Sequence, residues 1–224
     1  MKVLLFDIDG TLIRSGGAGK WAMEAALKTA FQVPEIRDSI SFAGRTDPGI
    51  IAELLEIHEL PVTAENLERM HQEYLSHLPR ALKTHRGEVL PGITEIFARP
   101  TENTLFGLLT GNIRQGAEMK LRYFGLWDHF QFGGFADNLA NRDDVARRAM
   151  VDLHHHLQFP IAGDQVWVIG DTPADVQCAR AIGAKAVAVS TGWHTPEQLK
   201  ACQPDYLVEN FTAAHEVLHA WGMA

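Results

Sequence analysis

Six short apolar runs, alternating with stretches of helical periodicity, constrain the fold of this 224-residue chain more than any other feature. The runs fall at 3–8, 105–109, 130–135, 166–169, 186–189 and 206–208. Each is short and nearly free of polar residues, so each reads as a strand covered on both faces. Between them lie segments 113–124, 142–157, 173–182, 195–201 and 211–221, which read as helices. Strands that alternate with helices predict an α/β fold: a Rossmann-like, doubly wound parallel sheet with helices on both sides.

One connection breaks the rhythm. Between Asp9 and Thr104 lie 94 residues, far more than a single crossover helix requires. That stretch carries three amphipathic patterns of its own: Met23, Leu27 and Ala30; Ile51, Leu54 and Leu55; Leu67, Met70, Tyr74 and Leu78. Asp47-Pro48 predicts a helix start, with Asp47 as N-cap and the proline at the first helical position. The expected organisation is an all-helical insertion over 15–87, acting as a lid on a core made of 1–14 and 88–224. Gly16, Gly17 and Gly19 flank it on one side and Gly87 on the other. They serve as hinges or as ordinary turns.

Composition narrows the function. Hydrophobic residues make up 46% and charged residues 21%, a globular balance that excludes a disordered chain, a collagen, a coiled coil or a disulfide scaffold. A formal charge of −8 leaves no obvious surface for a nucleic-acid backbone. Cys178 and Cys202 match no metal-ligand spacing and are expected to be reduced and structural. The first apolar run is cut by Asp7, so it reads as no secretory signal, and no apolar stretch approaches the ~20 residues that span a bilayer. A cytoplasmic protein is expected, in which the glycosylation triplet Asn210-Phe211-Thr212 is chance. His154, His155 and His156 are adjacent on a helix, about 100° apart, and cannot converge on one metal. Gly19-Lys20 fails as a phosphate-binding P-loop, because Arg14 stands at the first glycine position and Trp21 replaces the Ser/Thr.

The chemistry lies at the strand ends. Asp7-Ile8-Asp9-Gly10-Thr11 closes the first run, and residues two apart on a strand share a face, so Asp7 and Asp9 look toward one site. Close like charges are costly without a compensating cation. A plain Asp-Gly turn is the other reading. Gly170-Asp171-Thr172-Pro173-Ala174-Asp175 follows another buried run and brings two more carboxylates to the same sheet edge, unless Asp171 merely caps the next helix. Together these oxygens suit a hard divalent cation such as Mg²⁺. Thr110-Gly111-Asn112 joins a strand to a helix and offers a hydroxyl and backbone N–H groups to an anion. Arg142 opens a later helix, where it either neutralises a phosphate or is solvated.

These four groups, in this order, resemble the motifs of the haloacid dehalogenase superfamily: Phe6 through Leu12, Thr110-Gly111-Asn112, Arg142, and Gly170 through Asp175. The resemblance covers the whole chain and is nearest to phosphoglycolate-phosphatase-type and β-phosphoglucomutase-type members. The helical insertion falls where that superfamily carries its C1 cap, and Leu90-Pro91-Gly92 looks like the return to the core. The resemblance implies that Asp7 is a nucleophile forming an aspartyl-phosphate and that Asp9 is the general acid and base. It implies that Mg²⁺ is held by Asp7, the backbone carbonyl of Asp9, Asp171 and Asp175. Thr110, Gly111, Asn112 and Arg142 would bind the phosphoryl oxygens. Arg142 departs from the usual lysine at its position; Arg147 or Arg148 could supply the charge instead. Asp9 favours phosphoryl transfer over dehalogenation.

Gly44-Arg45-Thr46-Asp47 resembles the substrate loop of C1-cap enzymes, so Arg45 either reaches a second anionic group of the substrate or is a solvated loop residue. Lys20 and Arg14 are weaker candidates. The expected activity is a Mg²⁺-dependent phosphatase of a small phosphorylated metabolite, working as a monomer or homodimer without membrane or nucleic-acid partners. The alternatives are a phosphosugar mutase with the same residues and a non-catalytic phospho-ligand sensor.

Overall fold

A computed structural model describes residues 1–37, 40–99 and 103–223. Strand β1 (Lys2–Phe6) leads to a two-residue strand β2 (Ile13–Arg14), then to helices α1 (Ala18–Phe31), α2 (Asp47–Ile57) and α3 (Ala64–Thr84). Strand β3 (Glu88–Val89) and the short helix α4 (Ile93–Phe97) return the chain to the sheet. Strands and helices then alternate: β4 (Thr104–Leu109), α5 (Arg114–Tyr123), β5 (Phe132–Gly134), α6 (Arg142–Leu157), β6 (Val166–Gly170) and α7 (Pro173–Ala181). The last elements are β7 (Lys185–Val189), α8 (Pro196–Ala201), β8 (Tyr206–Val208) and α9 (His215–Trp221).

Among the described residues, six strands form one parallel sheet in the order β5-β4-β1-β6-β7-β8. The α/β reading of the sequence holds. β1 lies between β4 and β6, where the strand order changes direction, so a crevice opens at its carboxyl end. Its sequence explains its central place. Leu4 and Phe6 enter an apolar cluster on one face, and Val3 and Leu5 enter the cluster on the other. Burying a side chain of this size is worth about 1.5–3 kcal/mol. The ring of Phe6 meets those of Phe97, Phe106, Phe130 and Trp221 at centroid distances of 6.0–6.3 Å.

α1, α2 and α3 share a third cluster, built from Met23 and Leu27, Ile51, Leu54 and Leu55, and Met70, Tyr74 and Leu78. Ile113 of the core also joins it. At the two crossings between sheet and helices, β2 and β3 pair antiparallel, Ile13 opposite Val89 and Arg14 opposite Glu88. Gly17 is the N-cap of α1 at φ 87°, and a Cβ on Gly16 would lie 2.5 Å from the Arg86 carbonyl oxygen. Both glycines are thus required by turn and close packing.

Three local expectations change. The strand expected at 130–135 is confined to Phe132–Gly134. The last helix starts at His215, because the Asn210 side chain accepts from the Thr212 N–H and hydroxyl while the Phe211 N–H donates to Pro91. The N-cap of α2 is Thr46, whose hydroxyl accepts from Gly49 N–H at 3.2 Å, so Asp47 is already helical. Both cysteines are free thiols, and no described helix is long and apolar enough to cross a membrane.

Candidate active site

Asp7, Asp171 and Asp175 meet at the carboxyl ends of β1 and β6, with one oxygen from each within 4.8 Å of the others. All three are buried. Burial pushes the Asp7 carboxyl up to about 7, against the pull of Arg142 and with added repulsion from Asp175 and Asp9. Burial, then Asp175 and Asp7, push Asp171 up to about 9. The site is short of positive charge. Gly10, at φ +87°, packs directly on Asp171, since a Cβ there would fall 2.4 Å from an Asp171 oxygen. Three converging, buried carboxylates fit a hard divalent cation.

Arg142 is the cation the chain itself supplies. It opens α6 behind the N-cap Asn141, its guanidinium hydrogen-bonds Asp175 Oδ1, and it stands 3.6 Å from Asp7 Oδ1. Arg147 and Arg148 instead lie exposed and pair with Asp144 and Asp152. The second oxygen of Asp175 accepts from the Thr172 N–H at 3.0 Å and its hydroxyl at 2.7 Å, closing a capping box on α7. Asp175 therefore has both oxygens engaged, and Asp7 and Asp171 are the freer ligands.

Asp9 is held by a different set of partners. Its Oδ2 accepts from Lys120 Nζ at 2.5 Å and from Asn112 Nδ2 at 3.1 Å, and its Oδ1 accepts from Ser15 Oγ at 3.2 Å. Burial works to raise this carboxyl, but Lys120, Asn112 and Ser15 outweigh it and hold Asp9 below its usual range. Thr110 is fully buried, and its hydroxyl accepts from Asn112 Nδ2 at 2.9 Å. Asn112 is thus tied within the site rather than poised alone for a phosphate.

The helix N-terminus expected to bind an anion already holds two. Ile113 N–H donates to Asp47 Oδ2 and Arg114 N–H to Asp137 Oδ2, both at 2.9 Å. Asp47 is pushed up to about 6 by burial, against the pull of Lys120 and the Ile113 N–H.

Loop 44–47 rests on three core loops. Asp47 N–H donates to Gly111 O at 2.7 Å, Thr46 Oγ1 donates to Ala140 O at 3.0 Å, and a Cβ built on Gly44 would lie 3.0 Å from Thr172 Oγ1. Gly111 is forced by this contact, since a Cβ there would fall 2.0 Å from the Arg45 carbonyl oxygen. The Arg45 side chain is not aimed at the carboxylates. It pairs with Glu53 and with the Gly49 carbonyl at 3.2 Å, lining a cleft of about 430 Å³ with Asn141, Arg142 and Gln177. Arg14 pairs with Glu88, and Lys20 lies 3.6 Å from Glu24.

Sequence reasoning missed Lys120, and it gave Asp47 a capping role rather than its bond to Ile113 N–H. The signal for Lys120 was indirect: on α5 it shares a face with Gly116 and Ala117, whose burial is seen only in the structure.

The family model described as haloacid dehalogenase-like hydrolase matches residues 4–189. A protein of Synechococcus elongatus named phosphoglycolate phosphatase is 31% identical, over 93% of this chain and 93% of its own length. One of Dickeya dadantii named "Probable phosphatase IndB" is 26% identical, over 97% of this chain and 94% of its own. The solved structure of CbbY from Rhodobacter sphaeroides in complex with phosphate superposes with a TM-score of 0.76 at 16% identity, covering 95% and 96% of the two chains.

Proposed function

The chain belongs to the haloacid dehalogenase-like hydrolase family, and from that premise we propose that it is a Mg²⁺-dependent phosphatase, hydrolysing a small phosphomonoester through an aspartyl-phosphate. One observation carries the reading. A buried, charge-deficient carboxylate cluster that includes Asp7 stands beside a separate carboxylate, Asp9, engaged by its own donors Lys120, Asn112 and Ser15. That is a nucleophile and an acid/base group in different environments, the division of labour that phosphoryl transfer needs.

Asp7 attacks phosphorus, forming the acyl-phosphate bond as the ester oxygen leaves. Asp9 takes up a proton as the anionic ester binds beside it, delivers that proton to the departing alkoxide, and then removes one from the water that hydrolyses the aspartyl-phosphate, regenerating Asp7 and releasing phosphate. Arg142, Thr110, Gly111 and Asn112 orient the phosphoryl oxygens and balance their charge. Asp7, Asp171 and the backbone carbonyl of Asp9 would hold Mg²⁺, with Asp175 directly or through water. The bound ion offsets repulsion between an anionic nucleophile and an anionic substrate. Residues 15–87 act as a cap whose loop 44–47 covers the site, which favours small substrates. Relatives named phosphoglycolate phosphatase make a short phosphorylated acid the first compound to try.

The test is phosphate release from a panel of small phosphomonoesters, with Mg²⁺ and with chelator, for the wild type and Asp7→Asn. Mg²⁺-dependent release that Asp7→Asn lowers at least about a thousandfold supports the reading. Release that persists in Asp7→Asn overturns the nucleophile. Conversion of a sugar 1-phosphate to the 6-phosphate without release would make the protein a mutase.

A further inference from the structure

We propose that Lys120 is a positioning residue for catalysis: it clamps the Asp9 carboxylate at the leaving-group side of the site. The inference rests on the phosphatase reading above and adds a residue to its machinery.

Lys120 lies on α5 with only 4% of its side chain exposed. Lysine is among the residues least often buried, since its ammonium forfeits hydration unless it is paired. Its Nζ makes two hydrogen bonds, to Asp9 Oδ2 at 2.5 Å and to Asn112 Oδ1 at 2.6 Å. Asn112 returns its own N–H to the same Asp9 oxygen. The three side chains close a ring that fixes the carboxylate through Oδ2, while Ser15 holds Oδ1. Asp9 nevertheless keeps 39% of its side-chain exposure. It is immobilised from behind and open in front, the arrangement a group needs to meet an oxygen whose position the substrate dictates.

The second residue of α1, Gly19, packs on this ammonium, for a Cβ there would be 3.4 Å from Nζ. A helix N-terminus carries partial positive charge and repels an ammonium. Contact with α1 is thus electrostatically uphill, and Lys120 is held in place by the Asp9 carboxylate and Asn112 Oδ1, with Asp47 adding attraction. Arg142, the other buried cation, serves Asp7 and Asp175. The two cations divide the acids between them.

The experiment compares kcat/KM for two esters in the wild type, Lys120→Met and Lys120→Arg: p-nitrophenyl phosphate, and the best alkyl phosphate from the panel. kcat/KM reads the steps through aspartyl-phosphate formation. There an alkoxide needs the proton from Asp9, and nitrophenolate leaves without it. The expected result is an alkyl-ester loss of about a hundredfold in Lys120→Met, the lower end of what a positioned acid contributes. The aryl-ester loss stays within about threefold, and Lys120→Arg recovers much of the alkyl activity. Equal losses on both esters, or no loss on either, overturn the clamp. A wild type that releases phosphate from neither ester removes the phosphatase reading and the clamp with it. Lys120→Gln, which keeps a donor without the charge, carries the same comparison should the methionine variant not fold.

Discussion

Arg142 is the residue on which the charge balance of the site turns. It is the buried guanidinium facing Asp7 and Asp175, and deleting it leaves carboxylates that repel one another in a low-dielectric pocket. Arg142→Ala should lower the stability of the metal-free protein by about 3–5 kcal/mol in urea unfolding, with added divalent cation recovering part of the loss. Tyr74 points the opposite way. It is fully buried on α3, and its hydroxyl has no hydrogen-bond partner among the described residues. Tyr74→Phe should therefore raise stability by about 1 kcal/mol in the same measurement. A drop would reveal a partner for the hydroxyl. At this scale the acids were legible and the basic residue behind Asp9 was not. A pair two apart at a strand end announces a shared face, whereas a lysine within a helix reads as solvated until its neighbours on that face are known to be buried.

Loop 44–47 is the element that holds helices and sheet in register over the site. Gly111→Ala would drive a methyl group into the Arg45 carbonyl, so the loop must lift. The expected outcome is a protein that folds, shown by an unchanged far-ultraviolet spectrum, but has lost most phosphate release. Normal turnover would mean that the loop yields freely. The helices and buried strands followed from periodicity, because burial on one or two faces leaves a repeating trace. The β2–β3 ribbon left none: two residues per strand are too few to show a period, and long-range pairing alone defines it. The start of α2 was misjudged by one residue for a physical reason. Thr46 and Asp47 are both good N-caps, and the long-range bond to Ile113 N–H draws Asp47 away from that role.

The molecule as a whole should reveal its site through pH. Asp7 and Asp171 titrate near 3.8 when unfolded and are raised to about 7 and about 9 in the fold. Between those values the folded state binds more protons than the unfolded one, so stability falls as pH rises. In metal-free protein this contribution is fully present below about pH 3.8 and is lost as pH climbs through the folded values. A divalent cation needs both carboxylates ionised, so the stabilisation it provides should grow over the same interval. Melting temperatures at pH 5 through 9, with Mg²⁺ and with chelator, check both slopes; parallel curves would sink the assignment. The contacts of residues 44–47 with the loops at Gly111, Ala140 and Thr172 also bear on how such a chain can change over time. Four consecutive residues answer to three separate neighbours, and an alteration that suits one offends the others. Variation that leads to new substrates has more freedom in α1 and α3, where a side chain answers mainly to the helical cluster. A mutant library that spares 44–47 and samples those helices should retain more working members than one that does the reverse.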